Sequence, residues 1–318
     1  PRTKALSQTQ TDFDHNNVFV SYAYYLGPGK TWAANNSEAQ MYIDGSTISY
    51  NGNLWKNETT SYYWPKDGGS LTFFAYSYNK KDMTVGDNSG FACVWALGED
   101  GQYQGGITGH FDVATNKNVD FLVADIAADK SENKNSYAHT GVPTLFRHKL
   151  SMVNVAANLA EDYANKKFIL NSVKFTNLYH YATYSQIPEK MIPGGNMFLS
   201  DQVYAENVGF EVKSGGLIAV PAEIKKGAGV EDGQYIYIPQ EFNDNSYIVI
   251  TYTVETVVGN NVVKEECTKT VKVKDVFPKW EMGHRYTFNL TFSLNEIHWD
   301  PAVENWIDDE AGKITIDR

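Results

Sequence analysis

Apolar and polar residues alternate with a period of two through much of this chain, the pattern of strands that bury one face. The clearest case is Tyr286, Phe288, Leu290, Phe292 and Leu294, interleaved with Thr287, Asn289, Thr291 and Ser293. One face of that strand is core and the other is wet. Val18, Val20, Tyr22 and Tyr24 alternate with Phe19, Ser21, Ala23 and Tyr25, so this strand is apolar on nearly both faces and is expected to be buried. Residues 70–76 follow the breakers Trp64-Pro65 and Gly68-Gly69, and shorter apolar runs at 91–97 and 119–124 suit buried strands.

Further along, residues 172–177, 246–254 and 268–274 read as strands, and Gly259-Asn260-Asn261 reads as the turn of a hairpin across 254–268. Asp44-Gly45 reads as a turn. Residues 144–159 fit both periods, with Leu150, Val153 and Ala157 at helical spacing and Val153, Val155, Ala157 and Leu159 at strand spacing. The β-branched pair favours the strand. Asp129-Lys130-Ser131-Glu132-Asn133-Lys134-Asn135-Ser136 is too polar to bury, which places a long loop or a domain boundary there. Two domains are expected, 1–141 and 142–318. Many short strands between Gly, Asn and Asp turns, with no long amphipathic helix, predict an all-β architecture of paired sandwiches.

Composition agrees. The 318 residues include 21 Tyr, 16 Phe and 7 Trp, a content that favours pleated, half-buried surfaces over helical bundles. A formal charge of −11 repels phosphate backbones and anionic head groups, so no nucleic acid is expected as a partner. With only Cys93 and Cys267, far apart, a disulfide framework does not hold this fold, and buried free thiols are expected. No apolar run approaches the roughly 18 residues of a membrane-spanning helix. The polar opening 1–14 is unlike a signal segment, so the chain reads as an already processed, soluble form.

The chain carries none of the local catalytic signatures: no Gly-x-Ser-x-Gly elbow, His-Glu-x-x-His pair, phosphate-cradling Gly loop or Cys-x-x-Cys pair. The seven His residues are scattered without metal-ligand spacing, and neither Asp87-Asn88 nor Asp232-Gly233 lies in a calcium-loop register. No enzyme activity, cofactor or metal is expected. Two weaker readings stay open. Asp300, Glu304, Asp308 and Asp309 could supply the two carboxylates of a glycoside hydrolase. The aromatics Tyr62-Tyr63-Trp64, Trp299 and Trp306 could stack against sugar rings, or could equally be core.

Several segments, in order, resemble the fimbrillin family of Bacteroidetes pilins. They are Tyr62-Tyr63-Trp64-Pro65 followed by Leu71-Thr72-Phe73-Phe74-Ala75-Tyr76-Ser77, then Asp120-Phe121-Leu122-Val123-Ala124, then Phe146-Arg147-His148-Lys149-Leu150-Ser151-Met152-Val153. The tail adds Tyr286-Thr287-Phe288-Asn289-Leu290 and the stretch from Trp299 to Trp306. The resemblance implies two tandem transthyretin-like β-sandwich domains with Greek-key-type antiparallel sheets. It also implies export as a lipoprotein and assembly with other fimbrial subunits into adhesive fimbriae at the outer membrane, where a host protein or glycan is a further partner.

In that family an Arg-directed protease removes an N-terminal strand, and a neighbouring subunit's strand fills the groove. Backbone pairing at an open edge and alternate side-chain pockets drive such strand addition. The resemblance makes Arg2 the processing candidate and Ile314 and Ile316 the donor-strand candidates. Glycan binding by exposed aromatics is the alternative function, with the two-carboxylate hydrolase behind it.

Overall fold

The structure is a computed structural model that describes residues 12–80, 90–113, 119–132, 141–194, 212–213, 216–217, 222–226, 235–294, 297–305 and 312–313. Among the described residues it is almost entirely β, with two helical segments of four residues each, Trp32–Asn35 and Val273–Val276, and a short 3-10 turn. The chain divides into two compact units. One holds Thr11–Lys149 together with Ala182–Ile192, and the other holds Leu150–Tyr181 and Pro193–Arg318. The sequence reading placed the division at 141 and 142. In the structure Phe146–His148 pairs with Leu122–Ala124 and so falls with the first unit, as does a later hairpin.

The first unit has two sheets. The larger runs, in spatial order, Trp55–Lys56, Gln40–Tyr50, Phe19–Leu26, Ser70–Ser77, Leu122–Ala124 and Phe146–His148, with Ala127–Lys130 also paired to Ser70–Ser77. Phe19–Leu26 is central, paired on both sides, with seven of its positions from Val20 to Leu26 matching Tyr76 to Ser70, and its doubly apolar pattern reflects cover on both faces: Tyr24 packs against Trp32 and Phe74, and Phe19 against Phe13 and Phe146. Asp44-Gly45 does not turn the chain. Gln40–Tyr50 continues through it, with register shifts opposite Ser21 to Tyr24 and Gly45 at φ 71°. The glycine serves a bulge, whose extra residue needs the left-handed backbone region that glycine reaches without strain.

The smaller sheet runs Glu189–Pro193, Tyr181–Ile187, Tyr103–Asp112 and Ala92–Leu97. Aromatic rings fill the space between the sheets. Phe91 stacks on Phe121 at 4.2 Å, Phe121 meets Tyr184 edge-on at 5.5 Å, and Trp95 lies 4.7 Å from Trp32. Trp32 enters this core from the four-residue helix after the first strand, which explains the helix.

The second unit also has two main sheets. One runs Tyr235–Tyr237, Ser151–Leu159, His284–Phe292, Ala302–Asn305 and Gly312–Lys313, and the other Ala222–Ile224, Lys166–Thr176, Tyr247–Val258 and Asn261–Lys272. Both contribute to one core, in which Val153, Val155, Phe168, Phe175, Ile248, Ile250, Phe288 and Phe292 are buried. The ambiguous segment 144–159 holds no helix but two strands, Phe146–His148 and Ser151–Leu159, and the second lies parallel to His284–Phe292 over eight residue pairs from Met152 with Arg285 to Leu159 with Phe292. The alternation read over 286–294 holds to Phe292, with Tyr286, Phe288, Leu290 and Phe292 buried and the residues between half-buried, but the strand ends there and Leu294 is exposed. The hairpin is longer than expected, pairing Tyr247–Val258 with Asn261–Lys272 around the two-residue turn Gly259-Asn260.

Candidate functional site

Surfaces that another chain could use lie at sheet edges, where backbone N–H and C=O groups are left without a ladder partner. In the first unit Ala92–Leu97 is an end strand. It pairs with Tyr103–Asp112 from Ala92 with Thr108 to Leu97 with Tyr103, and among the described residues no strand lies on its other side. All six residues are apolar, and Val94 and Leu97 are exposed. Its inward residues anchor it: Cys93 is buried, its carbonyl accepts from the Tyr24 hydroxyl at 3.4 Å, and the Trp95 ring nitrogen donates to the Asn36 carbonyl at 2.9 Å. Burial pushes the Cys93 thiol up to about 12 and raises the Tyr24 hydroxyl as well, so both stay protonated at neutral pH. These groups pack and hydrogen-bond; none is poised as a nucleophile.

A second feature lies on the face of the larger sheet away from the main core. Phe19, Ala75 and Ala124 form a small apolar floor there, with Ile48, Trp55 and Phe146 beside it. Phe13, just before the first strand, seats its ring on this floor 4.9 Å from Phe146, 5.5 Å from Trp55 and 6.1 Å from Phe19. His15 stacks on Tyr50 at 3.7 Å. The Asp14 carboxylate accepts from the Asn16 backbone, turning the chain into the strand. The segment entering the first strand is thus fastened by side chains.

Two segments that carried the family resemblance meet in the ladder of Leu122, Val123 and Ala124 with His148, Arg147 and Phe146. Their flanks bond too: His148 Nδ1 lies 2.7 Å from Asp120, and Arg147 holds Asp125 with two hydrogen bonds of 2.7 and 2.8 Å. The spacing of these motifs therefore reflects strand pairing. Of the aromatic run, Tyr62 and Tyr63 are exposed, while Trp64 is half-buried edge-on against Phe73 at 5.9 Å.

Of the other site residues named from sequence, Asp300 is half-buried, its backbone N–H donating to the Asn289 carbonyl at 3.3 Å and its carbonyl accepting from the Asn289 side-chain amide at 2.6 Å. Arg2, Trp306, Ile314 and Ile316 lie outside the described residues, as do Asp87, Asn88, Asp232, Gly233, Asp308 and Asp309. Trp299 ends the strand Ile297–Trp299, opposite Leu290, and its side chain is outside the described set, as is that of Glu304. Among the described residues no three His, Cys, Asp or Glu side chains converge as a metal site, and no helix is long and apolar enough to cross a membrane. Both thiols are free, Cys93 buried and Cys267 half-buried on the edge strand Asn261–Lys272.

Sequence reasoning missed the Phe13 seat, whose signal was a lone aromatic in a polar stretch. It also missed the open edge 261–272, since edge position is a property of sheet order.

A fimbrillin-like family model matches residues 8–306. The chain belongs to the fimbrillin-like family. Among solved structures it is similar to a fimbrial protein from Bacteroides vulgatus, at 18% identity over 91% of this chain and 92% of that one, with a TM-score of 0.65. A fimbrial assembly protein from Parabacteroides distasonis aligns at 11% identity over 93% and 90%, TM-score 0.38. The tip fimbrial protein from Porphyromonas gingivalis, in a C-terminally truncated form, aligns at 9% identity over 92% and 95%, TM-score 0.37. No curated protein matches the chain. The first of these likenesses shows that the chain shares its fold with that fimbrial protein, and the family match accounts for the order of the segments noted from sequence.

Proposed function

We propose that this fimbrillin-like chain is a structural or adhesive subunit of bacterial surface fimbriae, without catalytic activity, that assembles by strand addition. The observation that carries the reading is the family match over residues 8–306, which spans strands of both units. The open, apolar end strand Ala92–Leu97 supports it, because a backbone edge with exposed Val94 and Leu97 is the kind of surface an incoming strand extends. The partners are other fimbrial subunits and, for an adhesive subunit, a host-surface protein or glycan. In this reading the precursor is a lipoprotein of the outer membrane, Arg2 is where processing frees a groove, and the segment with Ile314 and Ile316 is donated to a neighbour.

Incubating the full-length precursor with and without an Arg-specific protease tests this. Heat-resistant ladders on a gel and fibres in electron microscopy are expected after processing, and they are expected to vanish in Arg2→Ala or when residues 313–318 are deleted. A trimmed product that stays monomeric would reject the polymerising role. Binding of glycans by the exposed Tyr62 and Tyr63 is the second reading, and loss of glycan-array binding in a Tyr62→Ala, Tyr63→Ala variant would mark it.

A further inference from the structure

The strand Asn261–Lys272 is twelve residues long, pairs one for one with Tyr247–Val258, and has no strand on its other side among the described residues. Residues 261–266 and 268–270 are all exposed. The hairpin turn is two residues, Gly259 and Asn260, with Gly259 at φ 62°. Such turns are flanked by a hydrogen-bonded pair, here Val258 with Asn261. Because hydrogen-bonded and non-hydrogen-bonded pairs alternate and the register has no shift, the odd-numbered residues of the outer strand bond inward. The N–H and C=O groups of Val262, Lys264, Glu266, Thr268, Thr270 and Lys272 therefore point away from the sheet.

We propose that this edge pairs with the same edge of a second copy of the chain, antiparallel, about a twofold axis at Cys267. The strand is self-complementary in that register and in no neighbouring one. Glu265 faces Lys269 and Lys269 faces Glu265, giving two opposite-charge pairs, while Val263 faces Val271 twice. Lys264 faces Thr270 and Glu266 faces Thr268.

Moving the axis by one residue toward the turn sets Glu266 against Glu266, and moving it one residue the other way sets Lys264 against Lys272. The inner contacts fit the same register. Lys264 already pairs with Glu255 at 2.6 Å and Lys272 with Asp244 at 2.7 Å, and these two cations face neutral residues across the axis. Glu265 and Lys269 take part in no ion pair among the described residues, and they face each other.

Cys267 bonds inward, so it meets Cys267 of the second copy in a non-hydrogen-bonded pair, where Cα atoms are about 4.5 Å apart and within reach of a disulfide. That closeness is a probe of register. Diamide takes two electrons and two protons from the facing thiols, forming the disulfide and the hydrazine form of the reagent. Cys93, buried in the first unit, is the internal control.

The pairing is lateral, goes beyond strand donation and does not depend on processing. The test uses the full chain, untreated with protease, in sedimentation over a range of concentrations and in diamide oxidation. A reversible dimer is expected that diamide links through Cys267 and that Cys267→Ser leaves associated but unlinked. Lys269→Glu and Glu265→Lys each place two like-charge pairs across the axis and are expected to weaken the dimer by about tenfold or more. The double variant, which swaps the charges, is expected to restore it. The idea is overturned by a chain that stays monomeric with Cys267 unlinked. A dimer indifferent to both single reversals, or one the double variant fails to rescue, overturns it as well. Heat-resistant ladders after processing, without any Cys267-linked dimer before it, would keep the fimbrial reading and discard this one.

Discussion

The side-chain oxygen of Gln186 accepts a hydrogen bond from the backbone N–H of Ile107 at 3.0 Å, while its amide nitrogen donates to the Ala124 carbonyl at 3.0 Å. Ile107 belongs to the smaller sheet of the first unit and Ala124 to the larger, so one amide from residues 182–192 ties both sheets together. Nearby, the Lys149 ammonium, itself buried, pairs with Glu189 at 2.5 Å, and the Tyr184 hydroxyl donates to the same carboxylate at 2.9 Å. A late hairpin is thus held in the first unit by specific polar contacts.

Replacing Gln186 by Ala leaves a backbone donor and a backbone acceptor without this partner. At about 1–3 kcal/mol for each group left unsatisfied, the first unit is expected to lose roughly 2–6 kcal/mol. Amide exchange resolved to peptides should show the Ile107 and Ala124 segments losing protection, with the strand His284–Phe292 unchanged. Equal loss in both units would contradict the local role.

Gly105 sits at φ 125° opposite Trp95, and a Cβ there would meet the Val94 carbonyl oxygen at 2.1 Å. The oxygen is backbone and cannot swing aside. Gly105→Ala is expected to destabilise the first unit by about 1–3 kcal/mol, the range for a non-glycine residue forced into sparsely populated backbone, with the clash added to it. Urea unfolding followed by near-ultraviolet circular dichroism measures it, and a wild-type midpoint would refute the close approach.

Burial pushes the pKa of the Cys93 thiol and that of the Tyr286 hydroxyl each up to about 12, above their ordinary ranges. A group whose folded pKa lies above its unfolded value stabilises the fold fully below the unfolded pKa, and this is lost as pH rises through the folded one. Stability is therefore expected to stay level up to about pH 9 and then to decline towards pH 12, each such group adding a slope of about 1.4 kcal/mol per pH unit. Cys93→Ala should remove the earliest part of that decline. A native-state alkylation series should label Cys267 well before Cys93, since only Cys93 is buried.

Phe13→Ala empties the aromatic seat formed with Phe19, Trp55 and Phe146. The ring is only half-buried, so the expected cost is about 2 kcal/mol, below the range for a fully buried aromatic. The readout is local. Limited proteolysis should cut within residues 12–17 faster than in the wild type, while the thermal transition of the second unit holds its position.

The legibility of the chain follows from how far each signal reaches along it. The strand at 286–292 was plain because burial of one face imposes a period of two on consecutive side chains, which Tyr286, Phe288, Leu290 and Phe292 obey, while those at 18–25 and 70–76 were plain as short apolar runs buried on nearly both faces. The Asp44-Gly45 misreading shows the limit of turn chemistry. A glycine at positive φ serves a turn and a bulge equally, and only the register of Gln40–Tyr50 against Phe19–Leu26 tells them apart.

By itself the sequence determined that the fold is mainly β, that its aromatic content suits pleated, half-buried surfaces, and which ordered segments mark the fimbrillin-like family, because these depend on side-chain type and local period. Tertiary structure alone decided that Ser151–Leu159 runs parallel to His284–Phe292, and that Gln186 reaches the sheets of the first unit. It alone put Asn261–Lys272 at an open edge and Phe13 on an aromatic floor. Those outcomes depend on which strands lie side by side, and strand order is settled by contacts between residues distant in the chain, which leave no period in the sequence to read.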